Sequence, residues 1–338
     1  MKPWIRNSGE VMSEHLLDVD DLYVEFRTRD GVAEAINGVS YTLDAGETLA
    51  VLGESGSGKS VTAQTIMGIL DMPPGFITGG RILYNGKDLL TMPEAERQKI
   101  RGAEIAMIFQ DSLSALNPVF TVGDQIAEMF QVHRGMSKKE GMAKAVDLME
   151  QVRIPAAKDR VKDYPHQFSG GMRQRIMIAM AISLDPKVLI ADEPTTALDV
   201  TVQAQIMDLL KDLQRERNMG MILITHDLGV VAGVADKIAV MYAGRIVESA
   251  NVWDLYAKPA HPYTQGLLDS MPRVDSKGEE LYAIKGLPPS LLALPPGCNF
   301  NPRCPHRRER CVREVPPTEE VAENHTAACF FWKEVARG

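Results

Sequence analysis

The stretch Thr48–Ser60 limits what this chain can fold into more than any other. Thr48-Leu49-Ala50-Val51-Leu52 reads as a short buried strand. It runs into Gly53-Glu54-Ser55-Gly56-Ser57-Gly58-Lys59-Ser60, and a helix is expected over Lys59–Leu70. The loop matches G-x-x-x-x-G-K-[ST], and a strand before it with a helix after it is the context in which that pattern holds phosphate. Backbone N–H groups converging at the positive end of a helix hold a triphosphate. Gly53, Gly56 and Gly58 let the backbone wrap that closely. Lys59 supplies a point charge to the terminal phosphates, and the Ser60 hydroxyl can ligate Mg²⁺. A chance glycine-rich turn would lack both the apolar strand and the Lys-Ser ending.

Five more segments follow in order: Gln110, Phe168-Ser169-Gly170-Gly171-Met172, Val188–Glu193, Ala197-Leu198-Asp199 and His226. Ser169-Gly170-Gly171 is a second glycine-rich segment opening a helix. Ser169 reads as its N-cap, and the helix start is itself an anion site. One nucleotide does not need two such loops, so two copies of the fold, or two related subunits, are expected to share each nucleotide. Asp192 ends a run of four apolar residues, at the carboxyl end of a buried strand where open α/β sheets bind ligands. It is placed to hold Mg²⁺ through water, and Glu193, one residue on, to polarise the attacking water. A helix-capping acidic pair is the plainer reading, and the buried strand and Pro194 argue against it. His226 follows the strand Met221–Thr225 and can approach a γ-phosphate. Gln110 closes the strand Ile105–Phe109.

The expected fold class is α/β, with a phosphate-loop NTPase core, an antiparallel β-layer and a helical insert. Leu16–Phe26 and Ala35–Leu43 read as strands of the β-layer, and Arg81–Tyr84 as another. Val122–Val132, Lys138–Val152 and Gly171–Leu184 carry apolar residues at helical spacing, and strands return at Val188–Ala191, Met221–Thr225 and Lys237–Tyr242. Beyond His261 the texture turns Pro-rich, which puts a boundary near Ala260. The chain of 338 residues allows one large domain and a smaller one, and a net charge of −8 argues against a dedicated nucleic-acid binder. The run Ile176–Ile182 is too short to span a bilayer, and Met1–Ser13 lacks the apolar core of a signal peptide. A cytosolic protein linked to any membrane through partners is expected, with Met12 an alternative start.

On these motifs the chain resembles the ATP-binding cassette (ABC) proteins over essentially its whole length. The resemblance implies a nucleotide-binding domain over residues 14–260, with a helical subdomain at about 111–185, and an extension over 261–338. It implies two ATP molecules sandwiched between the glycine loop of one subunit and the Ser-Gly-Gly segment of the other. Glu193 would be the general base and His226 the γ-phosphate sensor. Gln110 would touch both Mg²⁺ and a transmembrane partner, and Asp199 would lie at the dimer seam. Phe26, with Tyr23 as second choice, would stack on adenine. Met172 stands where Gln is common, a change that leaves a backbone donor untouched.

Among cassette proteins, a DNA-repair ATPase needs a long coiled coil between Gln110 and Ser169, where this chain has only about 60 residues. A translation factor needs two cassettes, and this chain has one set of motifs. The motor of a membrane importer remains. His261-Pro262-Tyr263-Thr264-Gln265-Gly266-Leu267-Leu268 and Gly297-Cys298-Asn299-Phe300-Asn301-Pro302-Arg303-Cys304-Pro305-His306 resemble the C-terminal extension of oligopeptide and dipeptide importer ATPases, of the first of their two ATPase types. The resemblance implies a heterodimer with a related ATPase. Two transmembrane permease subunits and an external solute-binding protein would complete the importer, at the cytoplasmic face of the inner membrane. Importers of nickel, oligosaccharides or opines have related motors.

All four cysteines lie in this tail: Cys298, Cys304, Cys311 and Cys329, with gaps of five, six and seventeen residues. Disulfides are disfavoured in the cytosol, and zinc prefers close C-x₂₋₄-C pairs, which are missing here. A [4Fe–4S] cube tolerates wider spacing. The resemblance extends such a cluster to this chain, with zinc and plain reduced thiols as the other readings. Its expected role is structural, because so Pro-rich a tail lacks a large core of its own. Cysteine changes are accordingly expected to spare nucleotide binding far upstream. Arg303, Arg307, Arg308, Arg310 and Arg313 read as a solvated basic loop or as an offset to cluster charge.

Overall fold

The computed structural model describes residues 15–111, 115–196, 198–271 and 284–335. Ala197 of the Ala197-Leu198-Asp199 segment, the alternative start at Met12 and the outer limits expected at 14 and 338 lie outside them. The strands in chain order are β1 (Leu17–Thr28), β2 (Gly31–Leu43), β3 (Thr48–Leu52), β4 (Gly75–Tyr84), β5 (Lys87–Asp88), β6 (Ile105–Ile108), β7 (Val188–Asp192), β8 (Gly220–Thr225), β9 (Lys237–Tyr242), β10 (Arg245–Asn251), β11 (Glu319–Ala322) and β12 (His325–Ala327). They fall in two compact units. One lies within Met1–Leu43, Glu47–Leu90 and Thr225–Gly338, the other within Asp44–Gly46 and Thr91–Ile224.

In the first unit an antiparallel layer runs β2-β1-β4-β5. Leu17, Val19, Leu22 and Val24 of β1 are buried, and register shifts lie between Val19 and Leu22. That break is why the side that faces in changes from odd to even positions along one strand. In the second sheet of this unit β3 pairs in parallel with β9, and β9 antiparallel with β10. β10 in turn pairs with β12, and β12 with β11. Every residue of β3 is buried, as its unbroken apolar run requires of a strand covered on both faces. The helix after the glycine loop, Lys59–Met67, stops short of the expected Leu70 because Gly68 takes a left-handed C-cap.

The Pro-rich tail shares the core of these strands. Ala50, Leu52 and Tyr242 pack in one cluster with Tyr263 and Phe300, and Cys298 and Cys304 lie against it. Tyr263 and Phe300 are almost wholly buried. Each such aromatic contributes roughly 1.5–3 kcal/mol of burial. The tail thus borrows a core, and β12 adds to β10 through Glu248↔Ala327. The buried Glu248 carboxylate accepts from the N–H groups of Ala260 and His261 and lies 2.7 Å from His325 Nε2. Burial pushes the His261 imidazole down to about 4, against the nearby charge of Glu248, so it is neutral at pH 7. Its Nδ1 accepts the Tyr263 N–H at the start of the helix Pro262–Asp269.

In the second unit β6, β7 and β8 are parallel, with Ile105↔Val188 and Val188↔Gly220 in register. The helices Val122–Arg134 and Lys138–Gln151 begin at side-chain caps, Thr121 and a Ser137/Glu140 capping box. The helix Gly170–Ala181 ends before the expected Leu184, and Val200–Arg217 is a long amphipathic helix. Among the described residues no helix is long and apolar enough to cross a membrane.

Candidate nucleotide site and a cysteine cavity

Packing and backbone conformation together dictate the glycines of the loop Gly53–Ser60. Gly53 has φ 156°, and a Cβ there would lie 2.2 Å from the Met241 carbonyl oxygen. Gly58 has φ 106°, and its Cβ would meet the Ala35 carbonyl at 2.6 Å. Around Gly56, with φ 77°, nothing lies within 4 Å, so the loop mouth is open there. No side chain caps the helix that starts after Gly58, and its first turn holds no acid. Its positive end is therefore left for an anion. Lys59 is buried, and its Nζ donates to the carbonyls of Gly53 at 2.7 Å and Glu54 at 3.0 Å. Gly53→Ala is expected to lower the melting temperature by several degrees and to abolish detectable nucleotide binding, because the clash is with backbone. Calorimetry and a nucleotide titration check both.

Glu54, a position that the loop pattern leaves open, is held on all sides. Its N–H donates to Tyr263 Oη at 2.9 Å. Its carboxylate accepts a fork from Arg303, Nη1 at 2.6 Å and Nη2 at 3.0 Å. Sequence reasoning missed both partners, which lie more than 200 residues away. Arg303 is thus neither a solvated loop residue nor a counter-charge to the cysteines.

In the second unit Asp192 is buried at the end of β7. Glu193 follows with φ 45°, a left-handed conformation that costs a non-glycine residue about 1–2 kcal/mol and is common at functional sites. Its N–H donates to the Ile224 carbonyl at 2.8 Å. Its carboxylate accepts from Gln110 Nε2 at 3.0 Å and Thr196 Oγ1 at 2.9 Å. The structure thus brings Gln110 and Glu193 together and adds Thr196, for which the sequence held no signal. Ser169 caps the helix Gly170–Ala181 through the Met172 N–H, and Asp199 caps Val200–Arg217 through the Val202 N–H. A Cβ on Gly171 would strike Val202 Cγ1 at 2.6 Å, so the glycine lets the two capped starts approach.

His226 is exposed just beyond Thr225, whose hydroxyl accepts the Asp227 N–H. Phe26 is half-buried in β1, paired with Ala33 and Gly75. A hydrogen bond to Asp21 raises the Tyr23 phenol above its ordinary value.

All four cysteines line one small cavity together with Phe330 and Phe331. None forms a disulfide. Burial pushes the Cys298 thiol up, Cys304 to about 11 and Cys329 to about 12, so these three are neutral thiols when no metal is bound. Among the described residues no group of three or more His, Cys, Asp or Glu is arranged to hold a metal ion. Arg308 and Arg310 lie over the Phe331 and Phe330 rings at 4.1 and 3.9 Å and pair with Glu334 and Glu314. Arg313 pairs with Glu309. Arg308, Arg310 and Arg313 are thus each matched by a carboxylate.

A phosphate loop between a buried parallel strand and a helix, with an acid pair closing another parallel strand, defines a P-loop ATPase. The ABC transporter family matches residues 36–196, and the oligopeptide/dipeptide transporter C-terminal region matches residues 247–311. The chain is 54% identical over 315 residues to the oligopeptide transport ATP-binding protein OppD of Salmonella typhimurium (strain LT2), covering 93% of each. It is 52% identical to the dipeptide transport ATP-binding protein DppD of Bacillus subtilis (strain 168), covering 94% of this chain and 95% of the relative. The fold is similar to the ATP-binding cassette MJ0796, solved as a dimer in a post-hydrolysis state bound to ADP and Pi. The TM-score is 0.62 at 27% identity, covering 70% of this chain and 98% of that one. This chain belongs to the ABC transporter family, as an ATP-hydrolysing, ATP-binding subunit.

Proposed function

We propose that this chain is the motor subunit of a membrane importer for oligopeptides or dipeptides, converting ATP binding and hydrolysis into solute uptake. The observation that carries the reading is a phosphate loop built into the same core as a C-terminal region of the oligopeptide/dipeptide transporter type. Lys59 and the N–H groups of the loop bind the phosphates, and Phe26, by its spacing before the loop, stacks on adenine. Ser60, Gln110 and Asp192 hold Mg²⁺, which neutralises charge on the terminal phosphates. Glu193, oriented by Gln110 and Thr196, takes the proton of the attacking water, and His226 senses the γ-phosphate. Ser169, Gly170, Gly171 and Asp199 serve the nucleotide that a second, homologous ATPase holds. Residues 14–260 act as the cassette and 261–338 as the extension, peripheral to two permease subunits at the cytoplasmic face of the inner membrane. Uptake of labelled di- and oligopeptides by cells lacking this chain tests the solute. Peptide uptake should fall; unchanged peptide uptake with lost nickel, oligosaccharide or opine uptake would reassign it.

We further infer that Cys298, Cys304, Cys311 and Cys329 ligate one [4Fe–4S] cluster. Four thiols around one cavity support a shared ligand, and Cys₄ is the set such a cluster uses. Zinc commonly takes close C-x₂₋₄-C pairs, and the gaps here are five, six and seventeen residues. The bound cluster would supply cross-links that fix the tail, and the four side chains would have to release their protons to take it. Protein purified without oxygen is expected to be brown, with about four irons and four sulfides per chain. Changing any one cysteine to Ser should bleach it. Colourless anaerobic protein with one tight zinc, or metal-free protein with titratable thiols, would sink the cluster.

A further inference from the structure

We propose that Arg303 is a positioning residue of the phosphate loop, through which the C-terminal region sets nucleotide affinity. The proposal rests on the loop Gly53–Ser60 being the phosphate site. Three features of the molecule carry it.

The first is the geometry of the fork. Nη1 and Nη2 of Arg303 each meet a different oxygen of Glu54, the planar two-point match that fixes orientation as well as distance. The second is burial. Arg303 is 5% exposed and Glu54 27%. The rest of the guanidinium is also engaged: Nε donates to the Lys285 carbonyl at 3.2 Å, Nη2 to the Ile284 carbonyl and Nη1 to Tyr242 Oη. A desolvated, fully bonded fork is far less screened than a surface ion pair, so displacing it carries a real penalty.

The third is where the grip falls. Glu54 is bound at its N–H by Tyr263, at its carboxylate by Arg303 and at its carbonyl by Lys59. Its carbonyl also accepts the Ser57 N–H, closing the turn that carries Gly56. Beyond Glu54 the loop is exposed at Ser55 and Gly56. One end of the loop is therefore pinned by the C-terminal region and the other by the helix at Lys59. What lies between has only glycine and serine to define it. Without the fork the loop samples more conformations, and binding must order it each time. Because the loop serves bound nucleotide before and during reaction alike, the loss should fall on affinity, with turnover at saturation largely kept.

The test uses the full chain and Mg-ADP, titrated by calorimetry well below the melting temperature so that hydrolysis plays no part. Variants are Arg303→Met, Arg303→Lys, Glu54→Gln and the double Arg303→Met/Glu54→Gln, with Lys59→Ala in parallel. Arg303→Met and Glu54→Gln are each expected to weaken Mg-ADP binding by about 3- to 30-fold. The double should be no weaker than the worse single, since both break one link. Arg303→Lys should recover part of the loss. A residue that only supports the fold would lower the melting temperature with affinity unchanged. Affinity within twofold in Arg303→Met, or additive losses in the double, while Lys59→Ala still binds weakly, overturns the proposal alone. Unchanged affinity in Lys59→Ala overturns the phosphate-loop reading and this proposal with it. If Arg303→Met fails to fold, the double, which leaves no unpaired charge, decides: wild-type affinity in it refutes the role.

Discussion

Glu193→Gln is expected to lower ATP turnover by about 10²- to 10⁴-fold, the range a positioned general base supplies, while nucleotide affinity stays near wild type. The amide keeps the shape of the side chain and still offers one oxygen to Gln110 Nε2 or Thr196 Oγ1. It has no basic lone pair for the proton of water. Bound but unhydrolysed ATP should then hold the paired cassettes closed, visible as an ATP-dependent dimer on a sizing column. Hydrolysis by the assembled transporter at a near wild-type rate would remove Glu193 from the chemistry.

Lys59→Ala should act on the other half of the kinetics. Affinity is expected to fall by about 10- to 100-fold, the value of a charged hydrogen-bond donor lost from a buried site. Until phosphate arrives the ammonium is held by the carbonyls of Gly53 and Glu54. The variant leaves those oxygens without a charged donor, so a lower melting temperature should accompany the weaker binding. A nucleotide titration showing unchanged affinity would count against the phosphate role.

Where one local rule governs a segment, it could be read from the sequence alone. Thr48–Leu52 and Lys237–Tyr242 match the strands in full, because a strand covered on both faces is apolar along most of its length. The helices Val122–Arg134 and Lys138–Gln151 were legible from their periodicity. The start of β4 was hidden because Gly75-Phe76-Ile77-Thr78-Gly79-Gly80 looks like a turn; its strand character comes from pairing with β1. The short strands β11 and β12 carry too few apolar residues to announce themselves, and β12 exists because β10 offers it an open edge. In the candidate site, the sequence marks the residues within motifs and gives no sign of the residues that contact them. Thr196 sits three positions from Glu193 with nothing to mark it, and Arg303 looked like one of several arginines in a basic loop. Distance along the chain hid the contact between the tail and the nucleotide loop that the fork on Glu54 makes.

The contact between Arg303 and Glu54 spans 249 positions of chain. At about 5–20 residues per second, a ribosome that has made Glu54 works for roughly 10–50 s more before Arg303 exists. Over that interval the helix after the loop can already form, since it is local, whereas β3 waits for its partner β9 and the clamp on Glu54 for Arg303. The nucleotide loop is therefore among the first parts of the molecule to be written and among the last to be finished.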